Sequence, residues 1–320
     1  MYPRTPSLSS PNESNTPSSS RLVPVAVIPR RPSLQEIPED RQKKIYALLI
    51  AIADKSRKNQ RTLGLRSPIQ EFHDTQIPFT YIGFGGQYLT HSFGNTCVLD
   101  SLLAGLNIAA SVHPNIRELF MEDNTIDAVM TLLDSGKYAE AKALWLINLD
   151  FRLGRKKYFT ERDYIDIRGY VKDHLPNLLD LTSAKFHYDD ERRSPNPEDV
   201  VYMKTVSKFE DFGDVRVLGS RGNPELILVD VDGRMDEFPS LMITDDYERD
   251  FRLQFLLLGI ITEKSNHMVL CTSLDGRWWL YDDMKPSLFN NVNLEDIQTQ
   301  GYVVHLAAYV KVPAKNEKQD

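Results

Sequence analysis

The chain has 320 residues, of which 41% are hydrophobic and 26% are charged, and its formal net charge is −7. This balance is typical of a globular protein and argues against a nucleic-acid binder, whose binding surface would be basic. Only two cysteines occur, which argues against a secreted disulfide framework and favours the cytoplasm or the nucleus. The N-terminal residues have no apolar core and no apolar run approaches the roughly 20 residues that cross a bilayer, so we expect neither a secretory leader nor a membrane partner.

Residues 1–40 are rich in proline and serine and offer little that a core could bury. This composition predicts a disordered tail. Within it, Arg30-Arg31-Pro32-Ser33-Leu34 matches a basophilic kinase site and makes Ser33 a candidate phosphorylation site. Short patterns of this kind also arise by chance. Residues 314–320 form a second, charged tail.

Helical periodicity dominates residues 41–187. The first helix begins at Pro38-Glu39-Asp40 and presents one apolar face that includes Leu48 and Leu49. Loops and short extended pieces follow up to His91, and a helix then begins near Cys97. The later helical patterns cover Pro114–Asp123, Thr125–Leu133, Tyr138–Phe151 and Thr160–Leu175.

From Val200 the pattern changes to strands separated by turns. The predicted strands are Val200–Val206, Val215–Leu218, Leu226–Val231, Phe251–Ile260, Met268–Ser273, Trp278–Tyr281 and Tyr302–Val312. They predict a mostly antiparallel sheet in residues 198–313, joined to the helical half by a hinge from Tyr188 to Pro197. The fold class is therefore α+β, within one domain over residues 41–313.

One cysteine lies where a turn becomes a buried helix. Gly94 permits a tight turn, and Asn95 or Thr96 can cap the helix that follows. Cys97 then falls in the first helical turn, where backbone N–H groups and the helix dipole stabilise a thiolate. The alternative is that Cys97 is simply a small buried apolar residue.

A histidine and an aspartate flank a predicted β-hairpin. His267 opens an apolar strand, Asp275-Gly276 is a strong hairpin turn, and Asp282 follows the return strand. A hairpin places the start of its first strand opposite the end of its second, so we expect His267 and Asp282 to be neighbours. Taken alone, His267 is a strand-end histidine and Asp282 belongs to a solvated turn. With Cys97, they supply the nucleophile, base and orienting carboxylate of a thiol protease.

These two stretches resemble the ubiquitin-specific protease family of papain-like deubiquitinating cysteine peptidases. The run from Gly94 to Leu103 is similar to that family's cysteine box, GNTCYMNSLLQ, and the run from Asn266 to Asp283 is similar to its histidine box, GHY followed by WYxFDD. The resemblance implies a helical thumb packed on a β palm. It also implies the catalytic roles of nucleophile for Cys97, base for His267 and orienting carboxylate for Asp282, with ubiquitin or a ubiquitin-like protein as partner and no cofactor. Because two cysteines cannot form the family's four-cysteine zinc site, we expect reduced or absent fingers and no metal.

The chain departs from the family at the oxyanion hole. The family has an asparagine five residues before the cysteine, where this chain has Ser92. The candidate donors are therefore the Cys97 amide together with Ser92, Asn95 or Gln87. This departure leaves a catalytically weak ubiquitin- or SUMO-binding protein as one alternative. A SUMO isopeptidase is a second alternative, because Asp100 matches the Cys-Trp-Leu-Asp of the SUMO-directed branch. A papain-like peptidase that acts on unfolded chains is a third alternative.

We also predict that Phe93 and Trp278 line the substrate cleft or belong to the core.

Overall fold

The computed structural model describes residues 39–69, 81–154, 157–159, 162–179, 186–188, 200–207, 223–232, 237–245, 247–261 and 266–313. The chain divides into two units, Met1–Ser33 and Leu34–Asp320, and all of the described residues belong to the second. The Ser33 site, the charged tail 314–320, the predicted strand Val215–Leu218 and the linker after Tyr188 lie outside the described residues. The division of the domain into two halves stays a prediction.

The helical predictions hold for most of the first half. The helices are α1 (Glu39–Leu63), α2 (Cys97–Val112), α3 (Pro114–Met121), α4 (Asn124–Asp134), α5 (Tyr138–Arg152), the short α6 (Val171–His174) and α7 (Pro176–Leu179), and α8 (Leu294–Thr299). The expected long helix Thr160–Leu175 is wrong. Tyr164–Asp166 forms a strand instead, because it pairs in parallel with the strand before the nucleophile.

The strands form a small sheet and a large one. Their bounds are β1 (Gln87–Tyr88), β2 (His91–Gly94), β3 (Tyr164–Asp166), β4 (Phe186–Tyr188), β5 (Val201–Val206), β6 (Leu226–Val231), β7 (Met242–Thr244), β8 (Asp250–Ile261), β9 (Asn266–Leu274), β10 (Arg277–Tyr281), β11 (Phe289–Val292) and β12 (Val303–Lys311). The small sheet has the order β1-β2-β3. The large sheet has the order β11-β10-β9-β8-β12-β6-β5-β4, and β7 pairs with β8 outside that order.

The large sheet is antiparallel from β11 to β6 and parallel from β6 to β4. Together with the helices, it confirms the α+β class and the mostly antiparallel sheet. Its two faces carry separate apolar clusters. One cluster joins the helices to residues such as Phe255 and Leu270, and the other lies on the opposite face around Leu256 and Tyr309. Alternation along each strand explains the division, since successive side chains point to opposite faces.

Helix α2 joins the other helices to the large sheet. Its residues from Val98 to Ala110 are all buried, among them the polar Asp100, Ser101 and Asn107. It packs against β9 and β8, and the Ser101 hydroxyl donates to the carbonyl of Met268 at 3.3 Å. This packing brings the start of α2, and therefore Cys97, to the start of β9.

No single helix in the part of the chain that the structure describes is long and apolar enough to cross a membrane. Helices α2 and α3 meet that requirement only as a pair, and they join at a bend of 116°.

Candidate active site

The base and the orienting carboxylate come from the β9–β10 hairpin. Asp275 and Gly276 both have positive φ, 51° and 72°, which is the backbone of a type I′ turn. The register pairs Arg277 with Leu274 and continues to Tyr281 opposite Leu270. His267 and Asp282 then face each other across the open end of the hairpin, as the sequence predicts.

A hydrogen bond joins these two side chains. The distance from His267 Nε2 to Asp282 Oδ1 is 2.8 Å. Asp282 is buried and also accepts from the backbone N–H of Met284 at 3.1 Å, while the Lys285 ammonium lies 3.6 Å from its other oxygen. A neutral imidazole that donates from Nε2 has Nδ1 as its acceptor, so this bond presents the ring's basic nitrogen away from Asp282.

The nucleophile candidate lies beside the same strand. Cys97 is the first residue of α2 and is partly exposed. Its thiol makes a hydrogen bond with the backbone of Met268, the residue after His267. Burial raises the pKa of this thiol, and the carboxyl groups of Asp283 and Asp100 raise it further, whereas the backbone groups of Met268 and Val98 lower it. The backbone of Val98 at the helix start lowers the thiol pKa, as the sequence predicts, but desolvation outweighs this effect and the net change is upward. A base is needed to ionise the thiol.

The turn before Cys97 differs from the sequence prediction in two ways. The positive φ of 56° falls at Asn95 and not at Gly94. A side chain at Gly94 would instead overlap that of Tyr164, so glycine avoids a steric conflict at this position. The predicted side-chain cap is also wrong: Thr96 is the N-cap without capping the helix, and its hydroxyl accepts from the N–H of Gly85 at 2.7 Å.

All three side-chain candidates for the oxyanion hole have other partners. The Ser92 hydroxyl donates to the Asp163 carbonyl at 3.1 Å, and the Asn95 amide donates to Asp166 Oδ1 at 2.8 Å. Gln87 donates to the carbonyl of Leu89 at 3.0 Å. The Asn95 amide has a second N–H to give, whereas the Ser92 hydroxyl has only one hydrogen.

Two buried charges that sequence reasoning missed lie behind the nucleophile. Asp100 and Lys142 form an ion pair with a separation of 2.8 Å, and both side chains are buried. Lys142 also donates to the carbonyls of Gly83 and Gly85, at 2.9 Å and 2.6 Å. Asp100 was visible in the cysteine box, but the chain gives no local signal that Lys142 would reach it from another helix.

Other predicted residues have structural roles. Phe93 is buried in the helix-side cluster, and Trp278 packs on the opposite face of the large sheet from Cys97, so Trp278 does not line the cleft. His91, the other histidine close to the nucleophile in sequence, is buried with its ring against Phe159.

Among the described residues, His267, Asp282 and Asp283 form a group whose ligand atoms lie within 4.8 Å of one another, as a metal site requires. The bond of 2.8 Å between His267 and Asp282 is a normal hydrogen-bond length. Asp283 is directed at another carboxyl group, that of Asp100. The arrangement therefore fits a histidine–aspartate hydrogen bond, and we assign no metal to it.

No protein-family model and no curated protein matches this chain. Among solved structures, it is similar to the SAGA DUB module of Ubp8, Sgf11, Sus1 and Sgf73 bound to monoubiquitin, with 10% identity over 73% of this chain and 70% of that chain and a TM-score of 0.40. A yeast SAGA DUB module with a mutant Sgf73 gives 11% identity, 74% and 70% coverage and a TM-score of 0.35. The Saccharomyces cerevisiae Pan2 pseudoubiquitin hydrolase–RNA exonuclease module gives 8% identity, 28% and 20% coverage and a TM-score of 0.22. In a further structure of the SAGA module the match covers only 24% of that chain.

Proposed function

We propose that this protein is a thiol-dependent isopeptidase that hydrolyses the bond after the C-terminal glycine of ubiquitin or a ubiquitin-like protein. The observation that carries the proposal is the 2.8 Å bond between His267 and Asp282, formed where the Cys97 thiol meets the backbone of Met268. The substrate class follows from the resemblance of the two sequence boxes to ubiquitin-specific proteases.

In the proposed reaction, His267 takes the proton of Cys97 and Asp282 holds the ring in the tautomer that allows it. The thiolate attacks the carbonyl of the modifier's terminal glycine, and the imidazolium protonates the departing lysine amine. Water, deprotonated by His267, then hydrolyses the thioester and restores the thiol. Because burial keeps the resting thiol protonated, ionisation is coupled to the imidazole rather than supplied by the helix start.

The oxyanion of this reaction has one fixed donor in the proposal, the Cys97 backbone amide. Asn95 is the better candidate for the second donor than Ser92, because its amide keeps one N–H after bonding to Asp166. The loss of one oxyanion donor costs on the order of a hundredfold in rate, so the chain is expected to be slower than an enzyme with a dedicated donor.

The engagement of Ser92 with Asp163 favours a second candidate function, a protein that binds ubiquitin or SUMO and cleaves it weakly. The two functions differ in whether Cys97 reacts. A binding protein would retain the modifier on a column without forming a thioether to an electrophile placed at the modifier's C-terminus.

The test is labelling of the full chain with ubiquitin and SUMO probes that carry a C-terminal vinyl sulfone. We expect a covalent adduct with at least one probe, its loss in Cys97→Ala and its retention in Cys271→Ala. Cys271 is a matched control because it is buried and its thiol pKa is raised by burial to about 12. Labelling that persists in Cys97→Ala contradicts the proposal. Binding of a probe without any adduct supports the second candidate, and reaction with SUMO alone assigns the modifier.

A further inference from the structure

Two carboxyl groups meet behind the candidate nucleophile. Asp100 lies in the first turn of α2 and has no exposed surface. Asp283 follows Asp282, and its side chain is also fully buried. Both carboxyl oxygens of Asp283 are buried without a donor among the described residues, and the carboxyl group of Asp100 is its hydrogen-bonding neighbour. Two carboxylates cannot form a hydrogen bond, because neither has a hydrogen to donate.

One positive charge faces this pair. The Lys142 ammonium is 2.8 Å from Asp100 Oδ1, and its side chain is only 2% exposed. One ammonium balances one carboxylate, and a second carboxylate in this buried place would be uncompensated. Burial raises the pKa of Asp283 to about 8, and the neighbouring Asp100 adds to the rise. Since Lys142 contacts Asp100, the negative charge belongs on Asp100 and the proton on Asp283.

The surroundings of Asp283 come from several elements. Tyr281, which precedes it on β10, is kept neutral because burial raises its pKa well above the ordinary value. The titratable and charged groups around Asp283 are Asp100 and Cys97 of α2, Lys142 of α5, His267 of β9, and Asp282 and Tyr281 of its own segment. His267 Nε2 is 3.6 Å from Asp283 Oδ1 but 2.8 Å from Asp282 Oδ1.

We propose that Asp283 is a positioning residue that acts as a neutral acid: it shares one proton with Asp100, leaves Asp282 as the single carboxylate presented to His267, and keeps a second negative charge away from the Cys97 thiol. The inference rests on the proposed function only in taking Cys97 as the nucleophile. It predicts that the two adjacent aspartates have different effects on the thiol. Ionised Asp282 favours the thiolate by stabilising the imidazolium beside it, whereas protonated Asp283 adds no like-charge repulsion that would oppose the thiolate.

The test is the pH dependence of Cys97 alkylation by iodoacetamide in the full chain, with Cys97→Ala as the blank. We expect Asp283→Asn to leave the midpoint of thiol ionisation unchanged, because the amide is as neutral as the proposed acid. The matched variant Asp282→Asn is expected to raise the midpoint. If Asp283→Asn lowers the midpoint by about one pH unit, the size of one removed charge at this range, Asp283 is ionised in the wild-type chain, and if it raises the midpoint, Asp283 acts as Asp282 does. Either result overturns the proposal.

A second variant and a second measurement keep the test decisive if Asp283→Asn does not fold. Asp100→Asn leaves Asp283 as the one carboxyl group facing Lys142, so Asp283 then carries the negative charge, and we expect the thiol midpoint to rise because Asp283 raises the pKa of the thiol more than Asp100 does. The urea midpoint of the wild-type chain is expected to fall more between pH 5.5 and pH 8.5 than that of Asp100→Asn. The reason is that folded Asp283 keeps a proton up to about pH 8 in the wild-type chain, whereas the unfolded residue releases it near pH 4. Equal slopes together with an unmoved thiol midpoint in Asp100→Asn would overturn the proposal. Iodoacetamide needs no modifier as substrate, so a chain inert toward ubiquitin and SUMO would refute the proposed function and leave this test intact.

Discussion

The two segments that form the site are built in different ways. The hairpin that carries His267 and Asp282 is a local structure, with a turn at Asp275-Gly276 and a regular register between β9 and β10. The segment before Cys97 contains only the short strands β1 and β2. Contacts from distant parts of the chain hold it, including Lys142 on α5 and Tyr164 on β3.

The difference shows how each half of the site depends on its surroundings. The histidine and the aspartate are brought together by backbone pairing within a short stretch, which tolerates changes elsewhere. The cysteine is placed by one buried ammonium and by a close approach of two strands. We therefore expect substitutions in the hairpin to affect chemistry first and substitutions around the nucleophile segment to affect stability first.

The largest effect is expected for His267→Ala. Removal of the base leaves a thiol whose pKa is raised by burial, so we expect the rate of modifier cleavage to fall on the order of 10⁴-fold or more. The free energy of unfolding should change by about 1 kcal/mol or less, since the side chain is partly exposed and lies at a strand end. Steady-state cleavage and urea unfolding measure the two quantities. A rate within tenfold of wild type would show that another group acts as the base.

Lys142→Met is expected to act mainly on the free energy of unfolding, whereas His267→Ala acts mainly on the rate. It removes the ammonium from Asp100 and from the carbonyls of Gly83 and Gly85. Breaking a buried ion pair on one side costs about 3–5 kcal/mol, and urea unfolding would measure it.

The matched control for that variant is Lys285→Met. Lys285 also lies near a site carboxylate, Asp282, but its side chain is 58% exposed. Exposed ion pairs contribute about 0–1 kcal/mol, so we expect little change. Equal losses in the two variants would contradict a special role for the buried lysine in holding the nucleophile segment.

Smaller losses of stability than that of Lys142→Met are expected for two glycines, one in each segment. Gly94→Ala places a Cβ against the Tyr164 ring and is expected to cost about 1–3 kcal/mol. Gly276→Ala has nothing within 4 Å of its new Cβ but keeps a φ of 72°, which costs about 1–2 kcal/mol in a residue with a side chain.

The double variant Gly94→Ala with Tyr164→Ala distinguishes the side-chain overlap expected at Gly94 from the backbone strain expected at Gly276. We expect it to recover most of the Gly94→Ala loss, because the half-exposed tyrosine is the obstacle. Tyr164→Ala should not rescue Gly276→Ala, whose strain is in its own backbone. A double-mutant cycle in urea unfolding measures both, and an additive result for Gly94 and Tyr164 would exclude the proposed contact.

The elements with a local cause could be predicted from the order of the residues. Apolar periodicity and proline placement were enough for the helices from Cys97 to Arg152, and turn chemistry was enough to bring His267 opposite Asp282. The α+β class followed from the order of these patterns. Such features depend on residues close together in the chain, where propensity and side-chain spacing act directly.

The remaining features depend on contacts between distant parts of the chain. The expected helix Thr160–Leu175 gave way to a strand because β2 offered it a parallel partner. A side chain at Gly94 would overlap that of Tyr164. The Asp100 carboxyl pairs with Lys142 of another helix and lies beside Asp283, which follows the hairpin. The net pKa of the Cys97 thiol also depended on burial, which no local pattern reports. Contacts between residues far apart in the chain, and the desolvation that they cause, are set by how the helices pack on the sheet.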